Sequence, residues 1–253
     1  MHIEIEGDEL VTTDKGQRRA LGLYTPEAFA LIQELWLKVG WSLRYSYAFS
    51  WFGRPIIQLP EDIIRIQEVI YAVRPDVLVE TGVAHGGSLV FYASLFRAMG
   101  RGRVVGVDIE IRPPNRAAIE AHELASLITL VEGDSVSDAV VASVRSGIGE
   151  RDKVMVVLDS NHSKRHVANE LRAYASMVSV GSYIVVTDGV MEQLSDAPGG
   201  AADWKSDNPC AATREFLAAD NRFVLEPPAP AFDESKVSAR PTYWPLAYLR
   251  RVK

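Results

Sequence analysis

VLVETGVAHGGS, residues 77–88, is the stretch on which the fold turns. An apolar, β-branched run ends in a glycine-rich bend, and SLVFYASLFRAMG follows at 88–100 with helical spacing of its apolar residues. A short buried strand, a tight turn and a helix form the opening half of a strand–helix–strand unit. Downstream the same alternation recurs. RVVGVD at 103–108 predicts a second strand with a helix near 115–125 behind it, and ITLVEGD at 128–134 a third with a helix near 137–146. VMVVLD at 154–159 predicts a fourth, followed by the helix KRHVANELRAYASMV, and SYIVVTD at 182–188 a fifth. Strands joined by helical crossovers imply a parallel sheet with helices on both faces. The nearly continuous apolar strands agree, because both faces of such a strand are buried.

The tail breaks this rhythm. EQLSDAPGGAADWKSDNP at 192–209 is rich in Gly, Pro and Asp and reads as a mobile loop, a candidate lid over residues 190–208 that carries Trp204. CAATREFLAAD then predicts a helix and FVLEP a strand, and after a Pro-rich loop TYWPLAYLRRV predicts a last strand. Two final strands with no helix between them predict an antiparallel pair at one edge. The expected architecture is therefore α/β: a mostly parallel seven-stranded sheet with an antiparallel edge pair. That ending separates the class I methyltransferase type of Rossmann-like sheet from the dinucleotide-binding type.

Upstream of the sheet, residues 1–25 are polar and read as a loose arm. Pro26 opens a helix in PEAFALIQELWLKVG, and PEDIIRIQEVIYAVRP predicts another that Pro75 closes. The expected division is residues 1–75 as arm and helical cap, and 76–253 as the sheet domain. The aromatic run at 41–51 reads as a substrate wall, a subunit contact or the packing of the cap on the sheet.

Composition narrows the function. The 253 residues suit one α/β domain with an added N-terminal segment, and 47% hydrophobic residues provide an ordinary core. A formal charge of −6 argues against nucleic acid or an anionic membrane as partner. A lone cysteine, Cys210, excludes an internal disulfide framework and a cysteine zinc site. The opening MHIEIEGDELVTTDKGQRR has no basic-then-apolar leader, and the apolar runs are strand-sized, so a cytoplasmic protein without a membrane span is expected.

Ligands of open α/β sheets bind beyond the carboxyl ends of the strands. Glycines there let the backbone bend sharply toward a ligand, and the next helix offers its N-terminus. The predicted cofactor pocket thus takes in Gly82, His85, Gly86, Gly87 and Ser88. Asp108, ending the second strand, is placed to accept the hydroxyls of a ribose. Asp134 and Ser135, beyond the third, are placed to reach an adenine edge, and Glu80 to hold the amino group of an amino-acid tail. The alternative is a structural turn with solvated strand-end acids. A dinucleotide would need glycine where Ala84 stands in G-x-G-x-x-G, and an acid near its pyrophosphate is unfavourable. S-adenosylmethionine (SAM), with a cationic sulfonium and no pyrophosphate, fits the acids better.

WFGRPIIQLPEDIIRIQEVIYAVRPDVLVETGVAHGGSLVFYASL at 51–95, LDSNHSKRHVANEL at 158–171 and NPCAATREFLAADNRFVLE at 208–226 resemble the cephalosporin hydroxylase family of SAM-dependent methyltransferases. The family's name misleads. The resemblance implies a Rossmann-like methyltransferase, often with a magnesium ion, acting on hydroxyls of sugars or natural products, in oligomers. Asp159 and Asp188 end adjacent strands, so their carboxylates should stand side by side, a plausible core for Mg2+ and part of the catalytic set, with Asp159 in the cofactor-binding set as well. The family carries an acid before the second of these, where this chain has Thr187; that departure removes a ligand and leaves the metal open. The resemblance places His162 in the active site as general base or substrate orienter, whereas His166 reads as a structural histidine.

The leading expectation is O-methylation of a hydroxyl on a sugar or an antibiotic-type natural product by a homo-oligomer. The weakened metal site keeps a second open, metal-free N-methylation of an aminosugar, whose cationic substrate the acids of the 190–208 loop could attract. A non-catalytic SAM-binding scaffold is the third. An NAD-dependent oxidoreductase is disfavoured by Ala84.

Overall fold

The computed structural model describes residues 2–237 and 240–253. The N-terminal segment corrects the first expectation. It is not a loose arm but a three-stranded antiparallel meander of β1 (His2–Glu6), β2 (Glu9–Asp14) and β3 (Gln17–Gly22). Lys15 and Gly16 both take positive φ at the tight β2–β3 turn, the handedness that a two-residue hairpin requires. Leu10 and Val11 of the central strand are buried.

Helix α1 (Pro26–Ser42) begins on Thr25, whose side chain accepts from the Ala28 amide at 3.3 Å. The aromatic run then forms a 3-10 turn, Tyr45–Ala48, and a hairpin of β4 (Phe49–Trp51) and β5 (Arg54–Ile56). Helix α2 (Pro60–Val73) stops where Arg74 turns left-handed before Pro75.

The alternating part follows as β6 (Val77–Thr81), α3 (Gly87–Met99), β7 (Arg103–Asp108), α4 (Pro113–Glu120), β8 (Ile128–Glu132), α5 (Asp138–Ser146), β9 (Val154–Leu158), α6 (Lys164–Tyr174) and β10 (Tyr183–Val186). Then come α7 (Pro209–Ala219), β11 (Phe223–Leu225) and β12 (Tyr248–Arg251). The sheet has seven strands in the order β11-β12-β10-β9-β6-β7-β8. Pairs among β6 to β10 are parallel, and β12 runs antiparallel to both β10 and β11. The expected edge pair is present, with the last strand inserted between β10 and β11.

Side chains alternate across each central strand. Val77 and Val79 join Val167, Leu171 and Tyr174 on one face, while Leu78 joins Ile66, Leu89 and Phe91 on the other. Glu80 shares the parity of Leu78 and so turns toward α3. The chain leaves β6 in one direction through β7 and β8, then returns to place β9 on its other side. That reversal opens a crevice between the ends of β6 and β9.

Three boundaries differ from expectation. The helix predicted over 115–125 ends at Glu120, and a separate 3-10 turn spans Ala125–Leu127. The last strand starts only at Tyr248, because Pro245 lacks an amide donor and Leu246 takes φ 56°. The segment read as a mobile lid holds two 3-10 turns, Gly189–Gln193 and Ala202–Lys205. It is pinned by fully buried Leu194 and by Trp204, whose ring meets Trp41 edge-on at 5.9 Å. No described helix is long and apolar enough to cross a membrane.

Candidate active site

The glycine bend after β6 lies against the end of β9. At Gly82, with φ +93°, a Cβ would fall 2.0 Å from the Asp159 carbonyl oxygen, so only glycine lets these two strand ends touch. Gly87 is equally constrained from the other side, since a Cβ there would sit 2.1 Å from the Pro55 carbonyl of the β4–β5 hairpin. Gly86 turns the chain into α3, and Ala84 adopts φ 46° inside the bend. Arg54 braces the loop, its Nε donating to the His85 carbonyl at 2.9 Å.

Two cavities flank this bend. A narrow one of about 50 Å³ is lined by Gln58, Gly82, His85, Gly87, Ser88 and Asp159, among others. A wider one of about 330 Å³ is lined by Gly82, Asp108, Ile109, Asp134, Ser135, Asp159, Asn161 and His166, among others. Asp108 accepts the Val83 and Ala84 amides on Oδ2, at 2.8 and 3.2 Å, and the Glu110 amide on Oδ1 at 3.2 Å. It therefore fixes the bend as well as facing the cavity. Ile109, 74% exposed, offers an apolar surface beside it.

Glu80 is placed differently from the sequence expectation. It is wholly buried beneath the bend and lines neither cavity; Ser88 Oγ donates to its Oε2 at 2.5 Å. Burial first, then the nearby Asp159 charge, holds its carboxyl well above the usual range. An amino group could meet it only by displacing the groups above it. Ser135 is also buried, and its hydroxyl is turned to Glu170 at 2.6 Å.

At the ends of β9 and β10, one ligand atom each from Asp159, His162 and Asp188 lie within 4.8 Å of one another. His162 Nε2 is 3.3 Å from Asp188 Oδ2. Asp188 adopts φ 53°, a strained conformation for an aspartate that aims its side chain at this point. Burial, then the Asp188 charge, raises the Asp159 carboxyl to about 7, and burial also raises Asp188. Two hard carboxylates that repel one another in a half-buried cleft suit a divalent cation, and the imidazole completes three donors. Thr187 is not one of these donors. Fully buried, its hydroxyl lies 2.9 Å from the Leu158 carbonyl and bonds Asp159 Oδ1, while Gln58 Nε2 reaches Asp159 Oδ2 at 3.5 Å. The position that departs from the family pattern thus orients a donor instead of supplying one.

A third cavity, of about 280 Å³, opens on Asp188 from the cap side and is lined by Trp41, Arg44, Tyr47, Ile57 and Tyr243, among others. Trp41 and Tyr243 meet edge-on at 5.4 Å. The aromatic run therefore divides. Trp41 and Tyr47 form cavity wall, whereas Trp51 packs on Phe91 and bonds Ser94 Oγ at 3.0 Å. Gln58, Ile109, Glu170 and Tyr243 lie outside the set expected from sequence. Only Ile109 has a local signal, an apolar residue directly after the strand-end Asp108.

A seven-stranded sheet of this order, with its cavities over the parallel strand ends, defines the Rossmann-like fold of class I methyltransferases. Within that class, the chain belongs to the Rhamnosyl O-methyltransferase/CmcI family, whose profile matches residues 43–252. The meander and α1 precede the matched region. Rhamnosyl O-methyltransferase of Mycobacterium leprae is 28% identical over 141 residues, which are 55% of this chain and 59% of that protein. The Mycobacterium bovis counterpart is 28% identical over 140 residues, 54% and 56% of the two chains. The chain thus spans a little over half the length of the curated relatives it matches. Among solved structures, CmcI with Mg and SAM aligns with TM-score 0.55 at 19% identity, over 82% of this chain and 78% of that one. MycE of the mycinamycin biosynthetic pathway, with Mg and S-adenosylhomocysteine (SAH), aligns at 0.50 and 18% identity, over 85% and 54%.

Proposed function

We propose that the protein is a SAM-dependent O-methyltransferase acting on a hydroxyl of a sugar moiety, with a divalent cation such as Mg2+ assisting. One observation carries the reading: the cavities on the two sides of the glycine bend share Asp159, and the acceptor-side cavity is lined by Asp188, one of whose carboxylate oxygens lies within 4.8 Å of one of Asp159. A nucleoside on one side and an acceptor on the other would face each other across the Asp159–His162–Asp188 cluster. Membership of a family named for rhamnosyl O-methylation supports the same substrate class.

Asp108 would hold the ribose, Ile109 and the loops after β8 and β9 the adenine, and the narrow crevice at His85 and Ser88 the amino-acid tail. Asp159 and Asp188 would hold the cation, with the His162 imidazole beside them. When bound, SAM supplies an electrophilic methyl and the cation a Lewis acid that makes an alcohol more acidic. Asp188, 3.3 Å from Nε2, would hold the His162 imidazole, whose other nitrogen, Nδ1, would take the hydroxyl proton as the oxygen–methyl bond forms and the sulfur–methyl bond breaks. Trp41, Tyr47 and Tyr243 give apolar ring faces against which a pyranose can lie, and close placement of the two reactants does much of the rest.

Residues 76–253 would then be the catalytic domain and 1–75 the cap that walls the acceptor. The natural acceptor would be a glycosylated, antibiotic-type secondary metabolite, methylated in the cytoplasm where the cosubstrate is made. Phe29, Ile32, Val39 and Leu43 are exposed along one side of α1 and offer a surface for a homo-oligomer. The aminosugar alternative weakens, because Asp159, His162 and Asp188 bring three donor atoms together without an acid at position 187, and among the loop acids Asp196 is paired with Lys38 and Glu192 with Arg214.

The test is transfer of tritiated methyl from SAM to p-nitrophenyl rhamnoside and to an amino-sugar glycoside, with Mg2+ and with EDTA. Label on the rhamnoside that EDTA abolishes is the expected result. Label on the amine alone, insensitive to EDTA, would replace it with N-methylation. Calorimetry showing no binding of SAH would remove the whole reading.

A further inference from the structure

The wall of the 330 Å³ cavity is tied together by a carboxylate that takes no part in the chemistry described above. Glu170 of α6 is fully buried. Its Oε1 accepts the Ser135 hydroxyl, from the loop after β8, at 2.6 Å and the Ser160 hydroxyl, from the loop after β9, at 2.7 Å. His166, one helical turn earlier on the same helix, brings Nε2 to 3.2 Å from each serine oxygen and 3.4 Å from Glu170 Oε1.

Proton counting then settles the imidazole. Each hydroxyl has one hydrogen, and both are directed to Glu170, so the serine oxygens can only accept from Nε2. Nε2 therefore carries a hydrogen. Nδ1 has no partner among the described residues, although His166 lines the cavity beside Asp134, Ile109 and Asn161. A ring nitrogen at the wall of a nucleoside-sized cavity, with its far side clamped by a buried carboxylate, is a recognition group.

We propose that His166 Nδ1 hydrogen-bonds a ring nitrogen of the cofactor's adenine, and that Glu170 is the positioning residue that holds it there through Ser135 and Ser160. The inference rests on the cavity being the adenosyl site of the methyltransferase reading. The charged groups around the imidazole are Glu170 on its own helix, Asp134 from the β8 loop and Arg165 beside it. Hydrogen bonding to Glu170 and its charge outweigh burial and raise the imidazole above its ordinary value, which favours the protonated form with Nδ1 as a donor. Tyr174 completes the support, its hydroxyl donating to the Ser135 carbonyl at 2.9 Å.

Calorimetry with SAH and its 1-deaza, 3-deaza and 7-deaza adenine analogues tests this, because each analogue replaces one ring nitrogen by CH. The full chain should bind one analogue about tenfold more weakly than SAH, and H166A should bind that analogue and SAH alike. Affinity for SAH should fall as pH rises through the imidazole's titration, and E170Q should move that fall to lower pH while leaving the melting transition in place. If H166A does not fold, H166Q, which keeps a neutral donor, should retain the discrimination and lose the pH dependence. Unchanged discrimination in H166A, or an unchanged pH profile in both E170Q and H166Q, overturns the proposal while SAH binding persists. Failure of the unaltered protein to bind SAH would instead overturn the methyltransferase reading beneath it.

Discussion

At the proposed adenosyl end of the cleft, Gly82, Asp108, Asp134 and Asp159 all stand at or just beyond the ends of the parallel strands. At the proposed acceptor end, Trp41, Tyr47, Asp188 and Tyr243 come from places spread along nearly the whole chain. The first end is a property of the parallel sheet, which delivers any residue placed just after a strand to one rim. The second is a property of packing: α1, the 3-10 turn after it and the segment before β12 must dock together before a wall exists. Affinity for the cofactor should therefore depend on residues whose neighbours in sequence are also their neighbours in space. Affinity for the acceptor should respond to distant substitutions that leave the cofactor untouched.

Four substitutions can break or sharpen that contrast. Asp188→Ala, at the junction of the two ends, should lower methyl transfer by about 10³-fold while SAH affinity by calorimetry stays within about threefold. A parallel loss of SAH affinity would show the ends to be inseparable. Asp108→Ala should weaken SAH about 100-fold, since it removes both the proposed ribose partner and the anchor of the Val83 and Ala84 amides. Its KM for the acceptor should hold. Trp41→Ala should raise the acceptor KM about tenfold with SAH binding unchanged; an altered SAH Kd would extend the cofactor end into the cap.

The smallest effect concerns the support of the acceptor wall. Buried Asp62 of α2 bonds the Thr242 hydroxyl and accepts the Tyr243 amide at 2.9 Å. Burial raises its carboxyl to about 7, above the value near 3.9 of an unfolded chain. The folded state therefore binds this proton more tightly. The resulting stability is present at low pH and is lost as pH rises through about 7. Asp62→Asn should melt about 2–4 °C higher than the unaltered protein at pH 8 and show no such gain at pH 5. An equal shift at both pH values would mean the carboxylate is not the source.

The same contrast governs which parts of the molecule are legible in the order of residues. Five parallel strands and their helices stand out as alternating apolar runs, and the edge pair as two strands without a helix between them. The meander at 2–22 does not, because its strands are polar on their open side and joined by turns whose only mark is Gly7 or Lys15–Gly16. Glu80 reads correctly as belonging to a strand end. Its place on the rim does not follow, since one residue of alternation turns it beneath the bend.

Periodicity and strand-end chemistry in the chain alone determine the sheet, the rim and the acids upon it, because a strand's order of residues dictates their order in space. Which side chains from α1, the β5–α2 connection and the segment before β12 close over that rim depends on long-range packing, to which no local pattern corresponds. Gln58 on Asp159, Glu170 beneath Ser135 and Ser160, and Tyr243 against Trp41 are products of that packing.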